Sequence, residues 1–219
     1  MRVVTGEAKG KKLKAPKTVD TRPIMDRVKT ALFDILGADV DDVRFLDLFA
    51  GTGGVGIEAL SRGAQQATFI EMNPQIVRLI HENLHITGLT ARAEVIQGDS
   101  FKFLQAHMPR NATIEQPTHT STRGNPSGER ALHLPAPKYG QARTYDIIYV
   151  APPQYEEMAA RALRMLDVSS LCANDGQVII QIHPKERSGV AAVECQNFEL
   201  TDERRYGSTL LMFYRRLDA

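Results

Sequence analysis

Cysteine is scarce: Cys172 and Cys195 are the only two in 219 residues, far apart and outside any CxxC or Cys/His cluster. That argues against a disulfide framework and against a zinc site. No stretch is apolar for long enough to cross a bilayer, and the opening MRVVTGEAKGKKLKAP lacks the apolar core of a signal segment. A soluble cytoplasmic protein with no membrane or metal partner is therefore expected. Charge of one sign is not in excess either, since the net charge is +1. Nucleic-acid binding can be argued only from local charge. No internal repeat is visible. What remains is a chain long enough to bury the core of one α/β domain with small additions, expected to act as a monomer.

Residues 1–22 read as two short strands, near 2–5 and 12–15, around a Gly/Lys turn. This is a basic N-terminal hairpin extension. Lys9, Lys11, Lys12, Lys14 and Lys17 cluster there, flanked by Arg2 and Arg22, with only Glu7 and Asp20 opposed. On a near-neutral chain this is a local footprint for phosphate. The plainer alternative is a solvated surface hairpin. Residues 23–219 form the main domain. Its first segment, 24–36, has helical spacing, with Ile24, Val28, Leu32 and Ile35 or Leu36 on one face and Pro23 before the first turn.

From residue 44, strands and helices alternate. Strands are expected at 45–49, 67–71, 92–97, 145–150 and 177–182, and helices at 53–62, 74–87, 100–106 and 155–166. Two last strands, near 197–202 and 209–215, flank Tyr206-Gly207-Ser208 as a hairpin. This order predicts a doubly wound, mostly parallel, seven-stranded α/β sheet with right-handed crossovers. The closing hairpin adds an antiparallel strand. Residues 107–143 break the rhythm. They are polar, rich in Pro, Gly, Ser and Thr, and show no apolar period. The segment reads as a flexible insertion, with His107, His119 and His133 solvated.

The most informative run is FLDLFAGTGGVG, Phe45 to Gly56. A short apolar strand ends in a glycine turn, Gly51-Thr52-Gly53-Gly54-Val55-Gly56, and a helix follows. In that context a G-x-G-x-x-G pattern normally suggests a dinucleotide. Asp47, however, sits four residues before the first glycine. A carboxylate aimed at the turn repels a pyrophosphate and suits a cation. S-adenosylmethionine (SAM) has no phosphate and carries an ammonium and a sulfonium, so the acidic strand end favours SAM. The bland alternative is a tight strand-to-helix turn and nothing more.

In such a sheet the ligand lies beyond the carboxyl ends of the strands. The second strand ends in Glu71, placed to accept the ribose hydroxyls, with Met72 beside it. The third ends in Gly98-Asp99-Ser100. Asp99 can accept from an adenine amine, and the next backbone N–H can donate to the ring. The fourth ends in Ala151-Pro152-Pro153-Gln154-Tyr155. Taken singly, Glu71 and Asp99 are equally readable as helix caps or first-turn acids.

With these pieces in hand, the chain resembles the RsmD family of 16S rRNA (guanine-N2)-methyltransferases, within the class I SAM-dependent methyltransferases. The resemblance covers nearly all of the chain outside 107–143. It is carried by the N-terminal MRVVTGEAKGKKLKAP, by TRPIMDRVKTALFDIL (Thr21 to Leu36, including Arg22 and Arg27), and by Phe45 to Ala64. FIEMNP, GDSFKFL and DIIYVAPP complete it. The glycine turn alone places only the superfamily; the RPxxDRV-like segment is the narrow marker.

The resemblance implies transfer of the SAM methyl to the exocyclic amine of one guanine in small-subunit rRNA, on a complete or assembling small ribosomal subunit. It implies SAM contacts from Asp47, Gly51, Thr52, Gly53, Glu71, Met72, Asp99 and Ser100, and no metal. It also implies a catalytic loop of Asp or Asn, then Pro-Pro, then Tyr or Phe. Here the chain departs: Ala151 lacks the acceptor and Gln154 replaces the ring. In the family's loop the acidic or amide side chain and the first proline carbonyl accept the amine's two N–H bonds, and the aromatic stacks on the flipped base. Pro152 and Pro153 are kept. Tyr155, or Tyr149 before the motif, can supply a ring, and Gln154 an amide acceptor. One lost positioning bond costs about 1–3 kcal/mol, or roughly ten- to a hundredfold in rate. Two other readings stay open: methylation of another amine, and a non-catalytic SAM-binding ribosome-assembly factor. For the first, the basic extension and the RPxxDRV-like segment argue against a protein glutamine but not against DNA adenine.

Overall fold

The computed structural model describes residues 1–16, 25–109, 143–154 and 157–217. Seven strands form one sheet in the order β3-β2-β1-β4-β5-β7-β6. They are β1 (Arg44–Asp47), β2 (Gln66–Glu71), β3 (Ala93–Gln97), β4 (Tyr145–Val150), β5 (Cys172–Ile182), β6 (Phe198–Tyr206) and β7 (Thr209–Arg216). The first five pair in parallel. β7 inserts between β5 and β6 and runs antiparallel to both. The closing hairpin thus contributes two strands to the sheet. Strands are added outward on one side of β1 as β2 and β3 and then on the other side as β4 and β5, which puts the switch point at the carboxyl end of β1.

Side-chain alternation sorts the central strands onto two cores. Leu46, Leu48, Ile148, Val150, Val178 and Ile180 face one core, with α4 (Ser100–Ala106) and α5 (Met158–Asp167) packed over it. Phe45, Ile147, Tyr149 and Ile179 face the other, under α1 (Asp26–Leu36), α2 (Gly54–Ser61) and α3 (Pro74–Thr87). A last short helix, α6 (Arg187–Ala191), adds Val190 to the first core. Period-two strands buried on both faces are what a parallel sheet covered by helices requires.

Several boundaries differ from expectation. β1 ends at Asp47: Leu48 N still bonds Tyr149 O at 3.0 Å in the ladder with β4, but the chain enters the turn at Leu48 and Phe49. α5 starts at Met158, after Glu157 in a left-handed conformation (φ 52°). On α1 the buried face is Val28, Lys29, Leu32, Phe33 and Leu36, whereas Ile35 is exposed. Ile24 and Pro23 lie outside the described residues. So does 110–142, most of the expected insertion. His107, expected in solvent, instead packs on Phe103 at 4.6 Å and holds its carbonyl through Nδ1.

Residues 1–16 lie against the α1/α2/α3 face. Val3, Ala8 and Leu13 are buried there. The segment turns back on itself through a single antiparallel bridge, Arg2 to Lys12, with no extended strands. Its anchor is Glu58 in the middle of α2, whose carboxylate accepts from Val4 N, Thr5 N, Lys29 Nζ and Arg62 Nε at 2.8–3.1 Å. Lys29 and Glu58 are both fully buried, and Lys29 also donates to Arg2 O at 2.6 Å.

Candidate active site

The switch point is built around the glycine turn. Gly51 (φ 51°) and Gly53 (φ 79°) occupy left-handed conformations that favour glycine. The turn closes through Gly53 N to Ala50 O at 2.8 Å and is tied to β2 by Ala50 N to Ile70 O at 3.0 Å. A Cβ at Gly51 meets nothing within 4 Å, so the space above the turn is open. Gly56 has a different job. A Cβ there lies 2.4 Å from the Phe69 ring, so glycine lets α2 settle onto the sheet.

Three carboxylates stand at successive strand ends. Asp47 ends β1, is buried, and accepts Gly56 N–H through Oδ2 at 3.1 Å. Burial pushes its pKa up to about 7; the Gly56 bond opposes the shift and the Glu71 charge adds to it. Glu71 ends β2, where Oε2 accepts Gly51 N–H at 3.0 Å and Oε1 accepts Asn73 N–H at 2.8 Å. Asp99 caps α4 through Lys102 N at 2.9 Å. The capping alternative for Asp99 therefore holds for one of its oxygens. Ser100 is buried and its hydroxyl donates to Leu48 O, which leaves its backbone as the part able to face a ligand. Thr52 is buried in the turn, and Met72 is exposed beside Glu71.

At the end of β4, Ala151 and Gln154 are half-buried, Pro152 is buried and Pro153 is exposed. Tyr155 lies outside the described residues. Tyr149 does not fit the role of a stacking ring. It is 2% exposed within the core and donates to Gln181 Oε1 at 2.6 Å. Strand alternation explains this, because residue 149 points into the α1/α2 face rather than past the strand end.

Of the basic residues, Lys9, Lys11, Lys12, Lys14, Arg2 and Arg27 are exposed. Lys14 pairs with Glu82 at 2.8 Å, and Arg2 stands 3.9 Å from Asp26. Lys17 and Arg22 fall outside the described residues. A groove of about 700 Å³, lined by Asp146, Cys172 and Arg216, lies at the amino ends of β4 and β5, opposite the strand ends that carry the motifs. Ligands of doubly wound sheets bind at the carboxyl end, so this groove is not the candidate site. Among the described residues no group of His, Cys, Asp and Glu is arranged to hold a metal ion, and no helix is long and apolar enough to cross a membrane.

Sequence reasoning missed Lys29, Glu58 and Asn83. Each is a polar residue on a helix face that is mostly apolar and buried. In α2 the signal was available: Glu58 is the one charge in GVGIEALS, a helix buried all round.

The family described as Conserved hypothetical protein 95 matches residues 1–115 and 127–215. The chain is 31% identical to YlbH of Bacillus subtilis over 99% of both chains. It is 30% identical to ribosomal RNA small subunit methyltransferase D of Haemophilus influenzae, over 80% of this chain and 72% of that protein. Among solved structures, yhhF of Escherichia coli superposes with a TM-score of 0.72 at 24% identity, covering 100% of this chain and 99% of that one. An RNA methyltransferase from Salinibacter ruber in complex with S-adenosyl-L-homocysteine does so at 0.56 and 14% identity, covering 90% and 95%. The chain belongs to the Conserved hypothetical protein 95 family, the RsmD family of rRNA methyltransferases.

Proposed function

We propose that the protein transfers the methyl group of SAM to the exocyclic N2 amine of a guanine in small-subunit rRNA. The observation that carries this reading is the row of carboxylates at the strand ends, Asp47, Glu71 and Asp99, around an open glycine turn. A cationic, phosphate-free ligand with ribose hydroxyls suits that row; a pyrophosphate does not. Membership beside ribosomal RNA small subunit methyltransferase D supports the RNA class of the substrate, and the SAH complex of the Salinibacter protein, which has the same fold, supports the donor.

The donor, when bound, supplies an electrophilic methyl carbon. The chain's part is positional. The backbone of Gly51 to Gly53 gives the close approach, and Glu71 keeps lone pairs for the ribose hydroxyls beyond its two backbone bonds. Asp99 and the Ser100 N–H frame an adenine. At the end of β4 the Pro152 carbonyl accepts one N–H of the guanine amine and holds its nitrogen in line with the methyl. The methylated ammonium is a strong acid that loses its proton to water, so no strong base is required. Arg2, Lys9, Lys11, Lys12, Lys14, Lys17, Arg22 and Arg27 supply phosphate contacts.

One observation favours a second reading. Ala151 offers no side-chain acceptor, and Gln154 no ring, where the family's loop has both. A factor that binds SAM and rRNA without turnover would tolerate that loss. Incubation with methyl-labelled SAM and small-subunit rRNA, followed by digestion to nucleosides, decides. Label in N2-methylguanosine is the expected result. Label in another nucleoside overturns the guanine assignment. Label in none, with SAM bound, supports the assembly factor.

A further inference from the structure

Asn83 uses every polar atom of its side chain to join two parts of the molecule. It is fully buried in α3. Its Oδ1 accepts Lys14 N–H at 2.7 Å, and its Nδ2 donates to Lys14 O at 3.1 Å and to Thr52 O at 3.0 Å. Lys14 belongs to the basic segment, and Thr52 sits between the two left-handed glycines of the turn. The two segments thus share one carboxamide as their link. Met1 adds a second contact on the same side, since its Sδ lies 2.5 Å from where a Cβ would stand on Gly54.

We propose that Asn83 is a positioning residue that couples the basic segment to the glycine turn, so that donor and RNA each strengthen binding of the other. The inference rests on the function proposed above. Its physical basis is the donor pair on Nδ2. Each hydrogen serves one acceptor, so neither carbonyl shifts without pulling the amide that holds the other. A ligand that fixes Thr52 also fixes Lys14, and the second ligand then meets a segment already ordered. Linkage makes the effect reciprocal. The exposed Lys14–Glu82 ion pair is screened and plays no part in this link.

The test is a set of SAH affinities, measured by calorimetry with and without small-subunit rRNA. The unaltered protein should bind SAH roughly fivefold or more tightly when RNA is present. Asn83→Ala should bring that ratio to about one, whereas Glu82→Ala should leave it unchanged. A second measurement needs neither RNA nor a variant. SAH should slow hydrogen exchange at the Lys14 amide of the unaltered protein. A purely structural Asn83 would lower the melting temperature and leave the ratio intact, and that outcome overturns the proposal. SAH bound with no added protection at Lys14 also overturns it, while the donor assignment stands. Failure to bind SAH overturns both.

Discussion

The Glu71 carboxylate accepts the Gly51 N–H at 3.0 Å, tying the end of β2 to the turn after β1. This side chain shapes the turn before any ligand arrives and still has lone pairs to offer. Glu71→Ala should weaken SAM binding by about 1.5–3 kcal/mol, the range for charge-assisted bonds to two hydroxyls. Glu71→Gln should lose less, since it keeps an acceptor. Calorimetry checks both. Unchanged affinity, or tight NAD binding by the unaltered protein, contradicts the donor assignment.

Asp47 gives a pH dependence of defined sign. Burial raises its pKa from 3.8 to about 7. The stability linked to the neutral carboxyl is therefore full below pH 3.8 and lost as pH rises through about 7. A bound sulfonium acts in the opposite sense, because it favours the ionised form. SAM binding should release a proton near neutrality and tighten as pH rises through 7. Calorimetry in two buffers of different protonation enthalpy reads the proton directly. Asp47→Asn should abolish the release; equal heats in both buffers for the unaltered protein contradict it.

The buried pair Lys29–Glu58, 3.0 Å apart, holds the N-terminal segment to the domain. Lys29→Met leaves the buried Glu58 carboxylate with Arg62 as its remaining cation. It should lower stability by about 3–5 kcal/mol in urea unfolding. Residues 1–16 should also become easier to cleave in limited proteolysis. A loss below about 1 kcal/mol, as for an exposed ion pair, would show that Arg62 alone satisfies Glu58.

The exposed lysines predict a salt effect. Replacing Lys11, Lys12 and Lys14 with Ala should weaken rRNA binding and flatten its dependence on salt by up to about two units of slope. SAM affinity should stay the same. An unchanged slope would mean that these lysines are only a solvated surface.

Much of this was legible in the sequence, for reasons that differ between elements. β4 is legible to the residue because YDIIYV is largely apolar on both faces and is bounded by Arg143-Thr144 before it and Pro152-Pro153 after it. α3 was equally plain, with Pro74 at its start and Gly88 in a left-handed conformation at its end. β5 starts earlier than the sequence suggests because Cys172 pairs with Tyr145 of β4; the Ala173-Asn174-Asp175-Gly176 stretch that follows lacks strand character and lies where the register shifts, before pairing resumes at Gln177. Tyr149 is readable as a stacking ring from sequence because spacing along a strand does not say which face meets solvent. The glycine turn, Glu71 and Asp99 announced themselves by local pattern. Asn83 and Lys29 did not, since their partners are distant in sequence and a polar residue on a helix is by default solvated; Glu58 stood out only as the lone charge of an apolar helix.

The most direct test of the central claim is nucleoside mass spectrometry of small-subunit rRNA from cells with and without this protein. N2-methylguanosine should fall by one residue per subunit when the protein is absent, and return when it is restored. An unchanged N2-methylguanosine content, or loss of a different modified nucleoside, would contradict the account.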